Sequence, residues 1–428
     1  MCGLAAAIAL IFKGVRNIRV FDRSPRGREG PWTTFARMDQ LRSPKTLPGP
    51  ALGVPSLTFR AWYEASLGSS AWDALYKIPN GVWQDYLNWL RSILDLPVEN
   101  DIAAARITPD GGLIRIEFAN NHPRRFVWAR KAVIATGRGG AGGDHIPGFV
   151  DSTLFPDLAA HTNDEIDFSR LAGKRVAVIG AGPSAWDNAA TALEKGAARI
   201  DMYVRRPILP QHNKGRGSAF PAFFLGWPAL DDAARWETLA YLDDVQAPPP
   251  HETVLRAIRL PGFNIHLGSP VERAARKRDS VEIVTEKDGA SHSHDFLIVG
   301  SGFHIDMARN AELSDIARHI ATWGDRYQPP ANLRRPALAR FPYLGPGFEL
   351  LEKSPGACPG LDRIHLFNHG AFASHGAVAS DIPGVNVGAE TLARSIVQSL
   401  FRADFDVVRS ALEAFAEPEL EKTPFFVP

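Results

Sequence analysis

Two stretches of the chain set out its architecture through their hydrophobic pattern. Residues 3–10 (GLAAAIAL) are small and apolar on every side. That pattern predicts a helix buried between a sheet and a second layer. The segment NIRVFDRS that follows at 17–24 is short, β-branched and closed by polar residues, which predicts a strand with Asp22 at its end. The second stretch covers 173–207. Arg175 to Ile179 read as a short buried strand, and Gly180-Ala-Gly182-Pro-Ser-Ala185 as a tight turn. Ser184 to Glu194 read as a helix with small residues inward, and ARIDMYV as the next strand. Strands alternating with helices in this way predict an α/β fold with parallel sheets.

Strand, G-x-G-x-x-A turn, helix and strand together form a dinucleotide-binding unit. Gly180 permits the tight turn, Gly182 lets backbone approach a diphosphate, and the small Ala185 lets helix and strand pack closely. Free N–H groups near Ser184 at the helix start then hold the diphosphate. Arg205 and Arg206 close the second strand where a carboxylate would bind a ribose 2′-hydroxyl. Two guanidinium groups there suit a 2′-phosphate, so this unit is expected to take NADPH. The opening helix reads as the tail of a second such unit, with Gly3 as its third glycine and Asp22 as the ribose acceptor. The first strand and first two glycines of that unit are missing from the sequence. Losing the middle strand of a parallel sheet leaves backbone groups unpaired, so an N-terminal truncation is expected.

Bulk properties narrow the class. The chain has 428 residues, 45% hydrophobic and 22% charged, enough for two or three domains. A net charge of +1 gives no pull toward nucleic acid or an acidic membrane surface. Cys2 and Cys358 share no motif, which argues against a thiolate metal site or disulfide framework and suits a reducing cytoplasm. No apolar run approaches the ~20 residues of a membrane span.

On these motifs the sequence resembles the flavin-containing monooxygenases and their class B relatives, over nearly its whole length. EGPW, with Gly30 and Trp32, resembles the family's loop beside the flavin, and LRSPKTLPGPALGVPSLTF at 41–59 a second flavin segment. AVIATGRGG, with Thr136 and Gly137, resembles the crossing between domains. FPDLAAHT resembles the FxGxxxH fingerprint, with His161 in place and Asp157 where the glycine stands. DFLIVGSGF, with Gly302, resembles the second crossing, and SDIPGVNVGAETLARSI a closing helix over the flavin, begun by Asp381.

The resemblance implies two Rossmann-like domains. An FAD domain is discontinuous over 1–165 and 330–428 and lacks its first strand. An NADPH domain covers 166–329, with an aromatic-rich insertion at about 208–260. It also implies that NADPH reduces FAD and that reduced flavin with O2 forms a C4a-(hydro)peroxide that oxygenates a small organic substrate. His161 is expected to couple the linker to the NADPH domain, and Arg138 to reach the flavin or nicotinamide edge. Asp381 is expected to cap the closing helix.

His369 and His375 lack partners at metal-ligand spacing, so no metal site is expected. In the insertion, Phe220, Phe223, Phe224, Trp227, Trp236 and Tyr241 are too many for a plain connection. They form either a pocket wall, which would favour an apolar or aromatic substrate, or a helical cap or homodimer contact. A disulfide reductase would need a cysteine pair that this sequence lacks. An NADPH-dependent flavin oxidoreductase or oxidase without oxygen insertion stays open as an alternative. So does a nucleotide-binding protein inactive for want of half its FAD loop.

Overall fold

The computed structural model describes residues 1–119, 124–287 and 289–427. Helix α1 (Cys2–Phe12) is followed by strand β1 (Val20–Phe21). Next comes a small helical layer of α2 (Phe59–Leu67), α3 (Ser69–Ala74) and α4 (Asn80–Ile93). Phe59, Trp72, Trp83 and Tyr86 build its core. Strand β2 (Val98–Glu99) pairs with β1 in parallel. An antiparallel sheet of β3 (Ala104–Asp110), β4 (Leu113–Phe118) and β5 (Phe126–Ala129) leads into β6 (Ala132–Ile134).

The second half begins at β7 (Ala159–His161) and β8 (Arg175–Ile179), which feeds α5 (Pro183–Glu194) and β9 (Arg199–Val204). The expected strand, turn, helix and strand are therefore all present, the helix starting one residue early at a proline. Proline suits a first helical turn because its missing N–H would be unpaired there anyway. The insertion folds as α6 (Lys214–Gly217), α7 (Pro221–Gly226), α8 (Asp232–Val245) and α9 (His251–Ile258). Strand β10 (Phe263–Leu267) is followed by a meander of β11 (Val271–Lys277), β12 (Ser280–Thr285) and β13 (Ser291–His294), then β14 (Phe296–Val299). The parallel sheet runs β10-β9-β8-β14-β7. Its alternation sorts side chains to two faces. Val176, Val178, Phe296 and Ile298 meet α5 and its neighbours, while Ala177, Ile179, Leu297 and Val299 meet the meander.

The chain then returns to the first half through α10 (Trp323–Arg326), α11 (Pro336–Ala339), β15 (Ile364–Leu366) and α12 (Phe372–His375). It ends with α13 (Val385–Ala403) and α14 (Phe405–Ala414). Strand β15 pairs with β6 in parallel. Among the described residues β6 and β1 do not pair, so the parallel strands of this half form two separate couples. What joins them is packing. The alanine face of α1 shares one core with α13, β6 and β15, and with Phe224, Trp227 and Trp236 of the insertion.

Candidate functional site

A cavity of about 4080 Å³ opens between the halves. An ordinary small-molecule site has roughly 300–1,000 Å³, and residues of both halves line this larger space. The gap between β1 and β6 is part of it, since Val20 and Phe21 line one side and Ala132 to Ala135 the other.

The first-half residues singled out in the sequence converge on this cavity. Gly3 lies at the start of α1, where a Cβ would stand 3.7 Å from the Ala135 side chain. Asp22, Gly30, Trp32, Thr136 and Gly137 share the wall. Arg138 and Asp381 face each other there at 3.4 Å, both substantially exposed. Asp381 does not cap a helix, contrary to expectation: α13 starts at Val385 with Gly384 as its cap. Ile382 precedes Pro383, and a residue before proline is pushed out of the helical region, which delays the helix.

From the second half Gly180, Gly182, Ser184, Ala185, Arg205, Arg206 and Gly302 reach the same cavity. At Gly180, φ is +104°, and a Cβ would run into the Gly300 carbonyl. At Gly300 a Cβ would come within 2.6 Å of the Ala185 side chain. The turn is thus closed to larger residues by the backbone that follows β14 and by α5. Gly182 faces open space. The two arginines differ: both terminal nitrogens of Arg206 donate to the Asp244 carbonyl, at 3.3 and 3.2 Å. Arg205 is exposed on the cavity wall.

His161 is buried behind the wall rather than on it. Its Nδ1 accepts from the Asn163 N–H at 3.2 Å and lies 3.3 Å from Asp144. The ring packs edge-on against Phe303. His369 reaches the cavity between Phe341 and Phe372. Burial, with Arg138 nearby, pushes its imidazole down to about 3. His375 is buried, stacked on Phe348 at 3.9 Å with Nε2 3.0 Å from the Gly345 carbonyl.

The insertion serves as both wall and cap. Phe224 lines the cavity. Trp227 packs over Gly376 and donates to the Ala373 carbonyl at 3.4 Å, and Trp236 donates to the Leu333 carbonyl at 2.7 Å. Phe220 and Tyr241 are exposed.

Sequence reading missed a pair across the cavity floor. Asp187 of α5 is 3% exposed, accepts from Arg42 at 2.6 Å and from Thr253 at 2.8 Å. Burial pushes this carboxyl up, and Arg42 pulls it back. One signal was available: a carboxylate amid alanines in SAWDNAA has no place on an inward face unless a cation meets it.

The residues fit two bound dinucleotides on the structure's own terms. Trp32 Nε1, Gln84 Oε1, Asn163 Oδ1 and Asn188 Oδ1 are buried without a hydrogen-bond partner in residues that line the cavity. Buried polar atoms without partners are costly, and a polar ligand would supply them.

One nucleotide-type turn and the start of an alanine-rich helix open into one cavity, the arrangement of a two-dinucleotide flavoprotein oxidoreductase. The chain belongs to the class B flavoprotein monooxygenase family, whose members use FAD and NADP(H). It is 40% identical over 419 residues to the FAD-dependent urate hydroxylase of Xanthomonas campestris pv. campestris, covering 97% of this chain and 88% of that protein. The sequence model of L-lysine 6-monooxygenase/L-ornithine 5-monooxygenase matches residues 76–216. An ornithine hydroxylase structure from Pseudomonas aeruginosa superposes with a TM-score of 0.72 at 17% identity, covering 93% of this chain and 97% of that one. The L-lysine 6-monooxygenase of Pseudomonas syringae gives 0.72 at 16% identity, with the same coverage. Among the described residues no helix is long and apolar enough to cross a membrane.

Proposed function

We propose that this chain uses NADPH and O2 to hydroxylate a small planar nitrogen heterocycle, urate or a close purine relative, with FAD held by the first half. The observation that carries this reading is the shared cavity, with Gly3 on one side and Gly180 and Gly182 on the other. The urate hydroxylase relative supplies the substrate class.

In this reading the start of α1 and Asp22 hold the FAD diphosphate and ribose, while Gly30, Trp32, Thr136 and Gly137 shape the flavin wall. The start of α5 holds the NADPH diphosphate. Arg205 takes the 2′-phosphate, and Arg206 fixes the end of α8 beside it. FAD when bound would accept electrons from NADPH and activate O2. The protein orients the partners and keeps water out.

Arg138, released from Asp381, would pair with the oxygen-rich edge of the heterocycle. His369 stays neutral at working pH and offers an uncharged ring beside it, with Phe372 and Phe224 on the wall. Both cysteines are free, as a reducing cytoplasm would leave them. A homodimer contact on the insertion would seat on the exposed Phe220, Leu225 and Tyr241.

The test combines purified protein, FAD, NADPH, O2 and urate, following NADPH and urate together. Urate-dependent NADPH oxidation with matched loss of urate is expected, and neither L-ornithine nor L-lysine should be converted. NADPH oxidation that yields only peroxide would favour the oxidase reading instead.

A further inference from the structure

Helix α9 leaves the second half and grips the first at two places, with a third contact between them. In its first turn Glu252 accepts from Lys77 at 2.6 Å and from Tyr76 at 3.1 Å. In its last turn Arg256 donates to the Arg37 carbonyl at 3.0 Å and lies 3.2 Å from the Asp39 carboxylate. The same guanidinium holds Glu194 of α5 at 2.6 Å. Between these grips, Thr253 donates to Asp187, and Asp187 accepts from Arg42. Asp187 sits one helical turn beyond Ser184, near the end of α5 that faces the cavity. Arg42 belongs to segment 41–46, which lines the cavity from the first half.

The three contacts do different work. The outer two cross-link the halves at the rim and would keep them together without the middle one. The middle contact lies on the cavity floor and ties the first turns of α5 to segment 41–46. A carboxylate this deeply buried persists only against a charged or hydrogen-bonded partner. Its geometry is therefore held from both sides, by Thr253 from α9 and by Arg42 across the gap.

We propose that Asp187, braced by Thr253 and paired with Arg42, is a positioning residue that sets the start of α5, and the NADPH it carries, at reacting distance from the flavin wall. This rests on the functional reading above. The step it serves is the oxidation of NADPH to NADP+, in which a hydride passes to FAD and a solvent proton completes the reduced flavin. Asp187 touches none of the reacting atoms in this scheme. A displacement of about 1 Å between reacting groups can cost up to roughly a hundredfold in rate.

The test uses the full chain loaded with FAD, mixed anaerobically with saturating NADPH. Asp187→Asn keeps the Thr253 contact and strips the charge from Arg42's partner. Flavin reduction is expected to slow about tenfold, with the NADPH Kd within about threefold of wild type. Arg42→Lys should recover part of what Arg42→Ala loses. A second readout needs no cofactor: amide exchange across 37–46 should speed up in Asp187→Asn, with 251–258 still protected by the outer grips. Thr253→Val removes a single hydrogen bond and should give an intermediate rate even if Asp187→Asn fails to fold. Wild-type reduction rates in Asp187→Asn, or in Thr253→Val where that is the variant that folds, would overturn the proposal. So would a raised NADPH Kd with an unchanged rate. A wild-type protein whose flavin NADPH does not reduce would instead sink the functional reading.

Discussion

The second half sets its glycine turn on an unbroken five-stranded parallel sheet, whereas among the described residues the parallel strands of the first half form two separate couples. In the second half, sheet and turn fix each other: the Gly180 backbone and the Gly300–Ala185 contact leave no room for a side chain. In the first half the helix start is held by side-chain packing of α1 on α13 and by the aromatic cap. Gly3 has room for a Cβ, meeting Ala135 only at ordinary contact distance. The glycine turn of the second half is thus set by backbone geometry, and the start of α1 by packed helices.

The sharpest way to break this comparison is a matched pair of glycine substitutions. Gly180→Ala places a Cβ against a carbonyl at positive φ and should cost about 2–4 kcal/mol, read by thermal unfolding. Gly3→Ala should stay within about 1 kcal/mol of wild type, and any loss it causes should appear in FAD affinity. Equal melting shifts for the two would erase the distinction.

Acid should loosen the first half more than the second. His365 and His375 lie in the first half, and burial pushes each down to about 4. His294 in the second half is likewise held at about 4. A histidine kept neutral when folded gains its proton on unfolding, so stability is unaffected above about pH 6.5 and falls below it. By pH 5 the loss amounts to about 1–2 kcal/mol per histidine. Amide exchange in β15 and α12 should therefore rise faster on acidification than in β8 and β9. Uniform loosening would contradict the assignment.

A smaller effect separates the two arginines. Arg205→Ala should raise the NADPH KM about tenfold while leaving the NADH KM unchanged, the loss of one charge-assisted contact. Arg206→Ala should do less, because its guanidinium is already committed to Asp244. Smallest of all, Arg138→Ala should change stability by less than about 1 kcal/mol, since its pair with Asp381 is exposed. Its effect should fall on the substrate KM.

Local features were legible in the sequence, and long-range ones were not. The β8–α5–β9 unit could be read because strand, turn and helix are consecutive and their glycines answer to neighbouring backbone. The closing helix is legible in the sequence, but its cap lies three residues beyond Asp381, at Gly384, because Pro383 keeps Ile382 out of the helical region. The two contacts of Asp187 join positions 42, 187 and 253, and no local pattern links them. The aromatic insertion was ambiguous for a similar reason: Trp227 finds its partner at Gly376 and Trp236 at Leu333, far along the chain. A period-based reading sees a face that must be buried, and tertiary contact alone decides against what.

Central to this reading is that the start of α1 and the Gly180 turn open into one space where flavin and nicotinamide would meet. Titrating the unliganded chain with FAD, then adding NADPH without oxygen, tests this most directly. Binding of one FAD per chain, followed by bleaching of its visible absorbance on NADPH addition, is the result expected. A chain that binds NADPH yet takes up no FAD, or whose bound FAD keeps its colour, would contradict it.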